Sequence, residues 1–233
     1  MVMSKNEFGK VTTFEEALHY IYDGCTLMVG GFGGIGTPPT LIDGILKKGV
    51  KDLTLICNDT GFPDIGVGRL ITAGRVKKAI VSHIGSNPNA GKQMQEGKLE
   101  IEFSPQGVLI ERIRAGGSGL GGVLVDIGIE HDWIAKGKES VIVKGKKFLV
   151  ELPLTAHVSI VYAKKADPFG NLVYDKSARN TNPYVAMAGE ITIAEVEEII
   201  PIGGLNPEEI ITPGIFVDLI VQSEGVNWRW AWE

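Results

Sequence analysis

Disulfide potential is the first thing this sequence lacks. Its two cysteines, Cys25 and Cys57, each stand inside an apolar run and offer no cross-linking framework, which suits a reducing compartment and small buried side chains. A positive excess is missing too: 28 acidic residues against 23 basic ones leave a net charge of −5. The bases lie in short groups such as Lys47, Lys48, Lys51 and Lys144, Lys146, Lys147, whereas a nucleic-acid footprint needs them concentrated on one surface. Met1 to Lys10 contains no apolar stretch of signal type, so secretion is not expected. The longest uncharged run, Gly24 to Ile42, is interrupted by six glycines and two prolines, which argues against a membrane span; a cytoplasmic location is expected. The four histidines, His19, His83, His131 and His157, have no zinc-type spacing, and no serine sits in a GxSxG elbow. No metal site is expected.

Glycine is what the sequence has in abundance. Its 31 copies among 233 residues are about twice the usual share, so the backbone must turn tightly or approach something closely in several places. The 44% hydrophobic and 22% charged composition is that of a globular chain. Thr13-Phe14-Glu15-Glu16 forms a capping box for a helix carrying Ala17, Leu18, Ile21 and Tyr22. Four strand-like runs follow: Thr26 to Val29, Leu53 to Cys57, Lys78 to Ser82 and Leu99 to Phe103. Helical patterns separate them, the clearest from Pro38 to Lys48 with Thr37 as N-cap and Gly49 as stop.

Strand, helix, strand, helix with short connections predicts right-handed βαβ units. These build an α/β fold with an open, mostly parallel sheet covered by helices on both faces. Further along, residues 141–150 read as a hairpin around Gly145, and Val158 to Tyr162 and Glu190 to Ala194 as strands. No linker divides the chain, so a single domain over residues 1–233 with a hairpin insertion at about 140–151 is expected.

Ligands of an open parallel sheet sit outside the carboxyl ends of its strands. The segments there are Gly30-Gly31-Phe32-Gly33-Gly34-Ile35-Gly36, Asn58-Asp59-Thr60, Ser82-His83-Ile84-Gly85 and Ser104-Pro105-Gln106. Amides and hydroxyls beside bare backbone suit a small anionic or carbonyl ligand. A plainer reading has Asn58, Ser104 and Thr37 capping helices. Residues 31–36 also satisfy GxGxxG with Asp59 23 residues on, the pattern of a dinucleotide site, although residues 117–122 match the same pattern without a strand before them. Glu102 alternates on a strand, Glu111 lies on a helix face, and Glu195, Glu197 and Glu198 read as a charged surface.

Asp23-Gly24-Cys25-Thr26-Leu27-Met28-Val29-Gly30-Gly31-Phe32 with Gly36-Thr37-Pro38 resembles the signature of the α (A) subunit of family I coenzyme A transferases. The resemblance extends through Asn58-Asp59-Thr60, His83-Ile84-Gly85, Ser104-Pro105-Gln106-Gly107, Glu111-Arg112-Ile113-Arg114, Ser177-Ala178-Arg179-Asn180 and Thr212-Pro213-Gly214, about nine-tenths of the chain. Within the family, the acetate or butyrate to acetoacetate transferases are the most similar.

The resemblance implies a fold shared with sugar-phosphate isomerases. It also implies a coenzyme A site at Gly30, Gly31, Phe32, Gly33, Gly34, Ile35 and Gly36, with Asn58 and Gln106 as pocket and oxyanion donors. Coenzyme A and its acyl thioesters are then substrates, with no tightly bound cofactor. The implied reaction is ping-pong, through a glutamyl-CoA thioester on a β subunit. That subunit's Ser-Glu-Asn-Gly motif is absent here; Ser223-Glu224-Gly225 lacks the asparagine and reads as a surface turn. A heteromer of two α and two β chains is therefore expected, with no nucleic-acid or membrane partner. The tail Asn227 to Glu233, with three of the four tryptophans, is read equally as a docking element or as folded back on its own domain. An NAD-dependent oxidoreductase using Asp59, a sugar-phosphate-isomerase-like binding domain and a non-enzymatic scaffold remain as alternatives at this point.

Overall fold

The computed structural model describes residues 8–226 and Trp228. Helix α1 (Phe14–Leu18) opens with the predicted capping box, Glu16 N donating to Thr13 Oγ1 and Thr13 N to the Glu16 carboxylate. Four parallel strands then alternate with helices: β1 (Thr26–Val29), α2 (Pro39–Lys48), β2 (Leu53–Ile56), α3 (Gly68–Thr72), β3 (Val76–Val81), α4 (Pro88–Gln95) and β4 (Glu100–Phe103). Each strand matches its sequence assignment to within one or two residues. The first helix turn of α2 differs: it begins at Pro39 with Pro38 as a cap that makes no side-chain hydrogen bond, and Thr37 does not cap it.

After α5 (Gln106–Gly117) the chain forms a separate antiparallel sheet of β5 (Val123–Val125), β6 (Ser140–Val143) and β7 (Lys146–Glu151), with α6 (Asp132–Ala135) between β5 and β6. The predicted hairpin at 140–151 is thus two strands of a three-stranded unit. The chain returns to the main sheet with β8 (Ala156–Ala166) and its short antiparallel companion β9 (Leu172–Val173). Then come α7 (Asn182–Met187), β10 (Gly189–Ile199) and β11 (Leu219–Gln222). Strands β8 and β10 run well past the segments read from the sequence, and β11 was not foreseen.

The main sheet is ordered β11-β10-β8-β1-β2-β3-β4. From β1 the chain steps outward to β4 with α2, α3 and α4 on one face. It then crosses to β8, on the other side of β1, with α5 and α7 on the opposite face. Right-handed crossovers require this: reversing the direction of strand addition moves the helices to the other face. The reversal falls between β1 and β8, so a crevice opens where Val29 leaves the sheet.

Two apolar layers fill the space on either side. Leu27, Leu55, Val81 and Ile160 pack with Leu41, Ile45, Leu70 and Ile71 on one face; Met28, Ile56, Ile80 and Val161 pack with Leu109, Ile113 and Val185 on the other. The outer strands are closed in different ways. Along β11, Thr12 N donates to Ile220 O and Ile220 N to Lys10 O. At β4, Glu100 and Glu102 share Lys78 of the neighbouring strand at 3.0 and 3.1 Å.

A buried arginine ties the three-stranded unit to the main sheet. Arg112, 6% exposed on α5, donates through Nε to Leu152 O and through Nη2 to Glu102, both at 3.0 Å. Its Nε lies 3.7 Å from the buried carboxylate of Glu151, which also takes Lys138 Nζ at 2.5 Å. Burial pushes the Glu102 carboxyl up, but the bonds to Lys78 and Arg112 outweigh burial and hold it below its ordinary 4.5. Removing Arg112 would leave buried carboxylates short of a counter-charge. Arg112→Ala is expected to cost about 3 to 5 kcal/mol in urea unfolding at neutral pH. Because the folded-state pKa of Glu102 is depressed, its contribution is present above about pH 4.5 and lost as the pH falls through the folded value. The stability gap between the wild type and Glu102→Gln should therefore shrink on acidification below that point; a gap independent of pH would contradict it.

Candidate functional site

The crevice at the end of β1 is filled by the glycine loop, residues 30–36. Phe32 and Ile35 exchange two backbone hydrogen bonds, Phe32 N to Ile35 O at 2.9 Å and Ile35 N to Phe32 O at 3.1 Å. The turn between them has φ of 60° at Gly33 and 103° at Gly34, a left-handed path that glycine takes without steric cost. This small hairpin lifts Phe32 to the surface, 51% exposed.

Side chains from two remote segments hold the loop. Asp59 Oδ2 accepts from Gly33 N at 2.8 Å. From the other side, Thr181 Oγ1 accepts from Gly31 N and donates to Gly31 O, Asn180 Nδ2 donates to Ile35 O, and Asn182 Nδ2 donates to Gly36 O. The fit is tight at Gly30, where an added Cβ would lie 1.9 Å from Asn182 Oδ1, itself fixed by Tyr162 N. The gripping residues Thr181 and Asn182 were not singled out in the sequence; only the flanking Ser177 to Asn180 run belonged to the resemblance.

Asn58, Asp59 and Thr60 follow β2, Ser82 follows β3 and Ser104 follows β4, so the predicted strand-end residues do share one rim. Asp59 is 6% exposed, and its carboxylate also accepts from Gly61 N and Asn58 Nδ2, each at 2.8 Å. Asn58 is 4% exposed, with one amide N–H spent on Asp59 and its Oδ1 without a partner among the described residues. The Ser104 hydroxyl is likewise buried and unpartnered there. The helix-cap alternative for Asn58, Ser104 and Thr37 is not what the structure shows. The caps of α3 and α5 are Val67 and Pro105. Between the glycine loop and Asn58 only about 10 Å³ remains, room for no more than one water. Gln106 stands exposed at the first turn of α5, two strands from Asn58, or about 10 Å between strand axes. The structure joins Asn58 to the glycine loop through Asp59, and Gln106 stands at the same rim with no hydrogen bond to either.

One carboxylate overturns its sequence reading. Glu195, read as part of a charged surface, is fully buried on β10. It accepts from Thr40 N at 3.1 Å, Thr40 Oγ1 at 2.8 Å, Leu41 N at 2.9 Å and the Ser223 hydroxyl. Burial pushes its carboxyl up, against the four donors. A side chain from across the sheet thus caps α2, which is why Thr37 does not. Ser223-Glu224-Gly225 lies at the surface as read, with Glu224 and Gly225 exposed, and is tied to the start of α2: Glu224 N donates to Thr40 Oγ1, and Trp228 Nε1 donates to Thr37 O at 2.9 Å while its ring meets Tyr162 edge-on. Trp228 is folded back on its own chain; the remainder of the Asn227–Glu233 tail lies outside the described residues.

The dinucleotide reading fails on the same bonds. Asp59 is engaged by three donors of its own chain, and the amides at the start of α2 belong to Glu195. No group of three metal-binding side chains occurs among the described residues, and no helix among them is long and apolar enough to cross a membrane. Cys57 is buried: burial pushes its thiol well up, and it donates to Asp59 O.

Comparison with known proteins decides the family. The coenzyme A transferase family matches residues 11–223. The chain belongs to that family. A probable coenzyme A transferase subunit alpha of Bacillus subtilis strain 168 is 58% identical over 97% of this chain and 99% of its own length. The acetate CoA-transferase subunit alpha of Escherichia coli K12 is 47% identical over 92% of this chain and 97% of its own. Among solved structures, an acyl-CoA transferase of Escherichia coli O157:H7, crystallised as a thioester complex with CoA, superposes with a TM-score of 0.83 at 26% identity. It covers 92% of this transferase, which spans about half, 47%, of that longer chain. The parallel sheet read from the sequence is thus the family's.

Gly30→Ala in this transferase should disturb the grip of Asn182 on the loop, since the new methyl must displace an oxygen held by two elements. A loss of about 1 to 3 kcal/mol in thermal or chemical unfolding is expected. A variant as stable as the wild type would show that the loop is not clamped as described.

Proposed function

We propose that this chain is the α subunit of a coenzyme A transferase that forms half of an active site, the other half belonging to a β subunit in an α2β2 assembly. The acyl groups are short, acetate or butyrate exchanging with acetoacetate. One observation carries the reading. The rim at the strand ends offers amides, hydroxyls and bare backbone, but its carboxylate, Asp59, is buried and saturated by its own chain. Among the described residues of the rim no free carboxylate stands ready to attack a thioester, so a nucleophile must come from outside.

In this scheme a glutamate carboxylate of the β subunit attacks the thioester carbonyl, and the tetrahedral oxyanion collapses to an acyl-glutamyl anhydride with release of CoA thiolate. The thiolate then attacks the glutamyl carbonyl and frees the first carboxylic acid, leaving a glutamyl-CoA thioester. The acceptor carboxylate runs these steps in reverse. One thioester replaces another, so the steps are close to balanced in energy. This chain holds the reacting groups in place. The second N–H of Asn58 and the amide of Gln106 stand at the same rim as donors for the oxyanion. The α-subunit names of the relatives support a β partner; the range of substrates in those names, acetate for one and acetoacetyl-CoA with acetate or butyrate for another, supports short acids.

The test is co-expression with the cognate β chain and an assay over a panel of carboxylate acceptors. The purified chain alone should transfer no CoA, and the complex should transfer it. Asn58→Ala in the complex should lower kcat about 10²- to 10³-fold, the usual loss of one oxyanion donor. Full activity of the isolated chain would overturn the half-site reading.

A further inference from the structure

An asparagine amide is ambiguous as a hydrogen-bond donor, because its oxygen and its NH2 group have nearly the same shape and a half-turn of the side chain exchanges them. At the end of β2 a neighbour must decide which of the two Asn58 presents. A group that only accepts hydrogen bonds can do so, and the carboxylate of Asp59 is such a group.

That carboxylate joins three segments. Its Oδ2 accepts both Asn58 Nδ2 and Gly33 N, each at 2.8 Å, and its Oδ1 accepts Gly61 N at 2.8 Å. One oxygen atom is thus common to the Asn58 amide and the tip of the glycine loop. The main chain behind it is held as well. Asp59 bridges to His83 beyond β3, Cys57 Sγ donates to Asp59 O, and Thr60 N donates to His83 O. Gly61 packs so closely on the start of α3 that an added Cβ would lie 2.7 Å from Gly68 N.

Asn58 has no other anchor of this kind. The bond to Asp59 is the one hydrogen bond its side chain makes among the described residues, and its buried Oδ1 is unpartnered there. Reversing the amide would set Oδ1 against Asp59 Oδ2, two acceptors with no proton between them. The carboxylate therefore keeps the NH2 end toward the loop and leaves the second N–H to the rim.

We propose that Asp59 is a positioning residue for CoA transfer: it fixes the direction of the Asn58 donor and holds that donor in register with the glycine loop. The assignment rests on the half-site reading above. Asp59, buried and engaged by its own chain, acts through Asn58.

The experiment measures steady-state transfer by complexes with the β chain carrying Asp59→Ala, Asp59→Asn, Asn58→Ala and the Asn58→Ala/Asp59→Ala pair, with thermal unfolding of each. Asp59→Ala should lower kcat about 10- to 100-fold, the usual cost of a misplaced group, with KM for acetyl-CoA within about threefold of wild type. Asp59→Asn keeps one carbonyl oxygen for Asn58 and Gly33 and should recover most of the loss. In the Asn58→Ala background, Asp59→Ala should cost no more than about threefold in kcat, because the group it directs is gone. If Asp59→Ala does not assemble, Asp59→Ser, whose shorter hydroxyl cannot serve all three donors, carries the same comparison. Losses that multiply, an Asp59→Asn variant as slow as Asp59→Ala, or a defect confined to KM would each overturn the positioning role. Hydrogen–deuterium exchange of the complexes reads the tether apart from catalysis: the amides of residues 30–36 should exchange faster in Asp59→Ala and at the wild-type rate in Asp59→Asn. That pattern in a wild-type complex that transfers CoA to no acceptor would uphold the tether and remove the transferase reading. Normal transfer, with kcat and exchange both unchanged by Asp59→Ala, would remove the positioning role alone.

Discussion

A loop made almost entirely of glycine has no side chains with which to hold itself, so its conformation depends on polar groups sent from elsewhere. Here those groups are Asp59 at the end of β2, the Asn180–Asn182 turn before α7, and Glu195 on β10, which fixes the helix that receives the chain. They reach residues 30–41 from both sides of β1. The main sheet must therefore be assembled before the loop can take its shape, and the long parallel pairings of β1 with β2 and β8 come first in any causal order. Backbone order at the site follows from side-chain chemistry at a distance.

This dependence explains what could be read from the sequence. Period and punctuation revealed the βαβ series and the strands from β1 to β4, because local spacing and glycine stops decide where those elements begin and end. The position of the strand-end rim followed from topology alone, and Asn58 fell on it. Glu195 was misread because a carboxylate in the run Glu195, Glu197, Glu198 has the local pattern of a solvated face; its burial comes from Thr40, Leu41 and Ser223, about 155 and 28 residues away in the chain. Thr37 before two prolines looks like a cap until a remote acceptor takes that role. Strand β11 is only four residues long, so it left too little periodicity to be recognised. The extent of β8 was hidden because a strand buried on both faces does not alternate.

The distribution of charge separates two tasks in the same molecule. Around the loop the acids are buried and hydrogen-bonded by amides and hydroxyls of their own chain, which fixes the backbone there. Around Arg112 the charges are also buried, but they pair with each other and hold the three-stranded unit beside α5. The first set fixes conformation at the site and the second fixes the position of a neighbouring sheet.

The two margins of the main sheet carry a last consequence. An open β edge is an invitation to another strand, and a parallel sheet of this size in a crowded cell would lengthen from molecule to molecule if either margin stayed bare. One margin is sheathed by the chain's own residues 10–12, and the other carries Glu100 and Glu102. Fibre-like growth is thereby blocked in both directions, and recognition is left to the rims and faces, where shape can discriminate between partners.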